Sequence, residues 1–296
     1  MNTSSVLQLL ALSAIWGSSF LFMRIGAPLL GPVVLIALRV SLAALFLRLI
    51  RIGRTGPNGL RVYARHFLIL GLINSALPFL LFAIAARTLS ASLMAILNAT
   101  APIWGALVGA LWSRTLPRPS VFVGLLLGIA GVAILVRFDP SSVGGNAHVA
   151  ILLGLGAALC YGVATTYAHS APRVDAFSNA EGSMWAATLW IGPAVPFFAH
   201  SMHFSATLVV SVLALGILCS GVAYLLYFRL IADLGPAPAL TVTFLVPIFG
   251  ILWGHLFLGE AVGWDTLLGA VIVIAGTALV TGFSFASLAS GDSNRA

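Results

Sequence analysis

Shifted along itself by 145 residues, the chain falls into register with no gap, and the residues that coincide are hard ones to replace. Gly17 lands on Gly162, Gly71 on Gly216, Ser75 on Ser220, Pro102 on Pro247, Gly105 on Gly250 and Gly109 on Gly254. Further along, Gly124 lands on Gly269 and Gly131 on Gly276. Glycine permits close backbone approach and proline removes a backbone donor, so these coincidences outweigh leucine on leucine. Such a chain is expected to fold as two like units, residues 1–145 and 146–290, with a short tail at 291–296.

Each unit holds five apolar runs. They lie near Val6–Met23, Pro32–Ile50, Phe67–Ala86, Ala91–Trp112 and Val121–Val136, then Ala150–Ala168, Ala180–Ala199, Thr207–Ile231, Pro238–Leu258 and Thr266–Phe285. A hydrocarbon core about 30 Å thick takes about 20 residues of helix. The expected fold is therefore an all-α membrane protein with ten transmembrane helices. Composition agrees: 60% of residues are hydrophobic and 7% charged, against about 25% charged in soluble domains. That is too little polar surface for a soluble enzyme, a disordered tail or a nucleic-acid module. The first run has no basic stretch before it and no small-residue cleavage site after it, so it reads as a retained helix. Cys160 and Cys219 sit far apart in apolar runs and in no metal-type spacing, so neither a disulfide nor a zinc framework is expected; no cofactor is expected either.

Five is an odd number, so a first unit that starts on one side of the bilayer starts the second on the other. The two five-helix repeats would be inverted copies related by a pseudo-two-fold axis in the membrane plane, a layout of transporters whose substrate site lies where the repeats meet. Arginine placement sets the sidedness. All fourteen basic residues are Arg, giving a net charge of +7. Arg48, Arg51, Arg54, Arg61, Arg65, Arg114, Arg118, Arg173, Arg229 and Arg295 fall on one side. Arg24, Arg87 and Arg137 fall on the other. The positive-inside rule then places both termini of this multi-pass protein in the cytoplasm, in the cytoplasmic (inner) membrane.

Candidate pathway residues come from interrupted spans. A helix proline cannot donate to the carbonyl four residues earlier. Pro78 would free the carbonyl of Asn74, Pro102 that of Asn98 and Pro247 that of Thr243, each a residue with a polar side chain. In lipid these groups need a partner from protein, water or solute. Ser220, Tyr224 and Tyr227 form one helical stripe, with Ser75, Phe79 and Phe82 at the equivalent positions. Trp16 and Tyr161 correspond across the repeat, and Thr165 lies one turn beyond Tyr161. Aromatics with a few hydroxyls and amides suit a pocket for a small amphiphilic molecule.

Arg39 is the one charge near the middle of a span, where placing it costs a few kcal/mol. It can meet a substrate carboxylate or hold helices together through freed carbonyls. Glu181 follows Ser178 by three residues and reads as part of a capping box. Glu260, Asp265 and His255, with His200 and His203, read as solvated helix ends, leaving no acid at membrane depth. The GxxxG steps Gly105–Gly109 and Gly250–Gly254, with glycines at 124, 128, 131, 269 and 276, read as close helix packing.

These residues resemble a known family. Trp16-Gly17-Ser18-Ser19-Phe20 with Arg24, Pro32 followed by Arg39, and Pro247 to Leu258 followed by Gly259-Glu260, Gly269 and Gly276 are similar to EamA-type members of the drug/metabolite transporter superfamily. The resemblance spans the chain and implies a ten-helix inverted-repeat carrier exporting metabolites, amino acids or drugs, with a central cavity shared by both halves. Two positions depart from it: Thr115 stands where the acid matching Glu260 would be, and Arg24 replaces a common Lys.

The expected activity is that of a secondary transporter or facilitator exporting small organic solutes by alternating access. No GxxxxGK[ST] run is present to cradle ATP. Competing readings are an intramembrane enzyme, for which no HExxH or clustered carboxylates are written, and a non-transporting subunit of a larger complex. The expected partners are the small solute and the bilayer, with no nucleic acid, the chain acting as a monomer or homodimer.

Overall fold

The computed structural model describes residues 3–52, 60–138, 146–198, 205–234 and 241–282, and the regular structure within them is helical throughout. Ten rods follow one another among these residues: α1 (Thr3–Leu30), α2 (Pro32–Ile52), α3 (Ala64–Ala85), α4 (Ala91–Ser113) and α5 (Pro119–Phe138). The second set is α6 (Ala147–Ser170), α7 (Ala176–Ile191), α8 (Ala206–Ile231), α9 (Val242–Leu258) and α10 (Trp264–Thr281). Seven of them, α1 to α4, α6, α8 and α10, are long and apolar enough to cross a membrane by length and composition. Large apolar side chains such as Leu7, Leu49, Trp112, Phe257 and Trp264 stand exposed on the outside of the bundle, a surface suited to lipid.

The ends of the rods follow local chemistry. α1 stops at Gly31, whose φ of 76° is left-handed, and Pro32 opens α2 with its ring preset for a first turn. Equivalent left-handed residues end α4 and α9: Arg114 at φ 53° and Gly259 at φ 65°, which are 145 positions apart.

Packing between the halves obeys the same offset. A Cβ on Gly17 of α1 would lie 2.7 Å from Phe249 Cβ and 2.9 Å from the Gly250 nitrogen of α9. A Cβ on Gly162 of α6 would lie 2.7 Å from the Gly105 nitrogen and 2.9 Å from Trp104 Cβ of α4. Adding 145 to one partner and subtracting it from the other turns the first contact into the second. The same exchange relates Gly71 against Ala187 (α3 on α7) to Gly216 against Leu42 (α8 on α2). It also relates Gly124 against Gly276 to Gly269 against Gly131, both within the α5–α10 pair. There the numbers run in opposite directions, so these two equivalent helices are antiparallel. The glycines thus serve packing between helices of this chain, as their spacing suggested.

Two spans contain a π turn, Leu72–Ala76 in α3 and Ala214–Val222 in α8. Shifted by 145, the first falls inside the second. Pro78 follows the first, but Ala223 occupies the equivalent place after the second, so proline is not their common cause. Such turns add a residue to the helical circuit and recur at functional sites.

α4 differs from its expected form. The helix does not merely kink before Pro102; it stops at Asn98 and restarts at Ala101. Thr100 Oγ1 donates to the Leu97 carbonyl at 2.7 Å, and buried Thr277 of α10 donates to the Ala99 carbonyl at 2.8 Å. The acceptor taken up by another helix is therefore that of Ala99, one residue past the expected Asn98.

Candidate functional site

Arg39 enters the core because α2 is apolar on all sides around it, and only 4% of the residue remains exposed. Its Nε donates to Ser220 Oγ at 2.8 Å, and its Nη1 approaches Met23 Sδ at 3.7 Å. The guanidinium carbon lies 3.5 Å from the centre of the Phe79 ring, a cation–π contact that strengthens when water is excluded. One side chain thus ties α2 to α1, α3 and α8. Ser220 passes the bond on by donating to the Leu215 carbonyl, five residues back, at 3.1 Å. The π turn sets that carbonyl in register with Ser220, because its hydrogen bonds run between residues five apart.

Around this centre lie the tyrosines of the predicted stripe. Tyr161, Tyr224 and Cys219 are electrostatic neighbours of Arg39. Asn74 Nδ2 donates to the Tyr224 hydroxyl at 3.3 Å, joining the two π-turn helices. Trp16 meets Tyr224 edge-on at 6.4 Å between ring centres and Tyr227 at 5.3 Å. Thr165 turns back to its own helix, donating to the Tyr161 carbonyl at 2.8 Å. Trp16, Asn74, Tyr161, Tyr224 and Tyr227 are each half-buried. The structure therefore joins Ser220 to Arg39 directly and Asn74, Trp16 and Tyr227 to one another through Tyr224, which with Tyr161 is an electrostatic neighbour of Arg39. Asn98 and Thr243, at equivalent points of α4 and α9, are half-buried too, but Arg39 takes no partner from either helix.

The two halves are unequal at this centre. Ser75 and Ser220 both sit in π turns, yet Met184 occupies the position equivalent to Arg39. Ser75 Oγ is fully enclosed and faces the Tyr224 hydroxyl without a well-formed hydrogen bond. The serine-bearing π turn occurs in both halves, the buried guanidinium in one.

Two carboxylates behave differently from their sequence-based expectation. The N-cap of α7 is Asp175, which accepts from the Ser178 backbone at 2.9 Å, so Ser178 and Glu181 do not form a capping box. Glu181 is instead fully buried and pairs with Arg51 and, at 3.5 Å, with Arg48, both from the end of α2. Arg51 also donates to Ser178 Oγ at 2.6 Å. Beside this cluster His66 links Tyr167 at 3.1 Å and Asn179 at 2.8 Å.

Glu260 is not a freely solvated end either. Its Oε1 accepts from the Ala91 backbone at 2.6 Å, and its Oε2 accepts from the Ser92 backbone at 3.0 Å and Ser92 Oγ at 2.5 Å. A carboxylate there suits the partial positive charge of a helix N-terminus. Gly254 makes the room: a Cβ on it would overlap Glu260 Oε2. At the same end, Arg24 Nη1 donates to the Ala86 carbonyl at 2.7 Å, satisfying the end of α3. His200 and His203 lie outside the described residues. Among the described residues, no three His, Cys, Asp or Glu side chains are grouped to hold a metal ion.

A helical bundle with an apolar exterior, a duplicated packing scheme and one buried guanidinium among half-buried aromatics defines a multi-pass membrane protein with an interior polar centre. By sequence profile the chain belongs to the EamA-like transporter family, matched twice, over residues 3–137 and 148–282. The two matches are themselves offset by 145. A protein described as uncharacterized transporter YvbV, from Bacillus subtilis (strain 168), is 24% identical over 292 residues, covering 94% of this chain and 92% of its own. An uncharacterized transporter of Archaeoglobus fulgidus is 26% identical over 298 residues, covering 95% of this chain and 98% of its own. A solved crystal structure, 18% identical, superposes with a TM-score of 0.67 and covers 100% of both chains, a likeness of fold.

Proposed function

We propose that this protein is a secondary carrier or facilitator that exports small organic solutes across the cytoplasmic membrane by alternating access. In this reading all ten rods span the bilayer, residues 1–145 and 146–290 are inverted repeats, and both termini face the cytoplasm. The observation that carries it is the exchange of helix contacts under the 145-residue shift, with equivalent helices α5 and α10 antiparallel. Two halves inverted in this way can trade conformations, opening the shared centre first to one side and then to the other. Trp16, Asn74, Tyr161, Ser220, Tyr224 and Tyr227 would line that centre, and the break after Asn98 in α4 and Pro247 within α9, one turn past Thr243, would give these two helices room to bend. The arrangement needs no cofactor and works in a monomer or in each half of a homodimer.

The test is flux by the purified chain alone in liposomes, screened against labelled amino acids, small metabolites and dyes. Saturable flux of at least one solute above empty liposomes is the expected result. A folded chain that moves none of them would overturn the carrier reading.

A further inference from the structure

Among the described residues, no carboxylate compensates the charge of Arg39. The five carboxylates among the described residues are placed elsewhere: Glu181 pairs with Arg48 and Arg51, Asp233 with Arg229 at 3.9 Å, and Glu260 clamps α4. Asp175 caps α7, and Asp265 lies in the first turn of α10. The partners of Arg39 are a serine hydroxyl, a thioether and a phenyl ring, all neutral. A guanidinium has five N–H donors, and two directions are used here. Nη2 has no acceptor among the described residues. Nor is it one of the fully enclosed unpartnered atoms, which are Gln8 Oε1, Ser75 Oγ and Ser183 Oγ. The small exposed part of Arg39 therefore includes the nitrogen left without a bond.

We infer that this nitrogen receives the substrate, and that the substrate is a small organic monoanion with a carboxylate at one end and an aromatic or apolar body. The inference rests on the carrier reading for the word substrate, but the anion site stands on the geometry of Arg39. A carboxylate meeting Nη2 would neutralise the buried charge and form charge-assisted hydrogen bonds. Tyr161 and Tyr224 are electrostatic neighbours of Arg39, and Trp16, packed on Tyr224 and Tyr227, offers with them ring surface for the body of the molecule. One guanidinium without a neighbouring acid selects single negative charge; a cationic solute would meet repulsion and no counter-ion.

The chain also supplies a substitution expected to fold. Met184 fills the equivalent position of the other repeat, fully buried, so Arg39→Met copies a packing already present. Full-length protein in detergent would be titrated with 3-phenylpropionate and with its neutral amide, 3-phenylpropionamide, following tryptophan fluorescence. The wild type should bind the carboxylate at least tenfold more tightly than the amide. R39M should lose that preference while keeping the wild-type elution profile and helical content, and Arg39→Lys should keep part of it. Equal affinity for carboxylate and amide in the wild type would overturn the anion site. So would an undiminished preference in folded R39M; if R39M failed to fold, the wild-type comparison would decide alone. In liposomes, flux of neutral or cationic solutes with no preference for carboxylates would overturn this inference and spare the carrier reading. Carboxylate binding without any flux would do the reverse.

Discussion

Glu260→Gln should loosen the join between the two halves by an amount that the hydrogen bonds specify. The carboxylate accepts three bonds from the first turn of α4, one on Oε1 and two on Oε2. A glutamine keeps one oxygen and turns an N–H2 group toward a backbone N–H, so at least one bond is lost in either orientation. A hydrogen bond to a charged group contributes about 1.5–3 kcal/mol, and a negative charge at a helix N-terminus about 0.3–1 kcal/mol. Glu260 is half-buried, which trims the sum to about 2–3 kcal/mol of destabilisation. Reversible unfolding of detergent-solubilised protein by SDS would measure it. Gly254→Ala should have a similar effect, because its Cβ takes the place of Oε2. As both changes break one contact, the double variant should be less destabilised than the sum by at least about 0.5 kcal/mol. A Gln variant within about 0.5 kcal/mol of wild type, or strict additivity of the two, would refute the clamp.

Glu181→Gln should destabilise by about 2–4 kcal/mol in the same assay, below the full cost of breaking a buried pair because Arg48 reaches water. Wild-type stability would contradict the buried pairing. Gly276→Ala places a Cβ 2.7 Å from the Gly124 carbonyl; overpacking of this kind costs about 1–3 kcal/mol, and no change in unfolding would show α5 and α10 to be less tightly apposed. Replacing Asn98 and Thr243 together by Ala should lower liposome flux several-fold while membrane insertion stays normal. Unchanged flux at normal expression would remove both from the pathway.

Much of the fold was legible because glycine and proline encode backbone geometry directly. Gly17, Gly71, Gly124 and their counterparts revealed the repeat and then proved to be contact points between helices. The apolar runs anticipated the rods closely: Phe67–Ala86 for α3, which runs Ala64–Ala85, and Val121–Val136 for α5, which runs Pro119–Phe138. At the candidate site the stripe Ser220, Tyr224, Tyr227 was visible as helical spacing, and Arg39 as a charge in an apolar run.

Long-range electrostatics and changes of helical register were not legible. Glu260 and Ala91 are separated by 169 positions, and Glu181 and Arg51 by 130, so no local pattern announces either contact. Ser178 followed by Glu181 has the spacing of a capping box, but Asp175 three residues earlier captures the Ser178 N–H and starts the helix sooner. The π turns share a glycine and a serine four residues apart (Gly71 and Ser75, Gly216 and Ser220), but that spacing does not by itself mark a π turn, and proline follows only the first. Their effect, handing the Leu215 carbonyl to Ser220 and Ser220 to Arg39, depends on helices that meet only after folding.

Equivalent residues of the two halves should face opposite sides of the membrane. Pro119 opens α5 and Trp264 opens α10, they are 145 positions apart, and both are exposed. With Cys160 and Cys219 replaced by Ala, single cysteines at 119 and at 264 would be labelled in intact cells with an impermeant maleimide, with and without permeabilisation. Inverted repeats with cytoplasmic termini require Trp264→Cys to react from outside and Pro119→Cys only after permeabilisation. Labelling of both from the same side would contradict the inverted arrangement and the alternating-access carrier built on it.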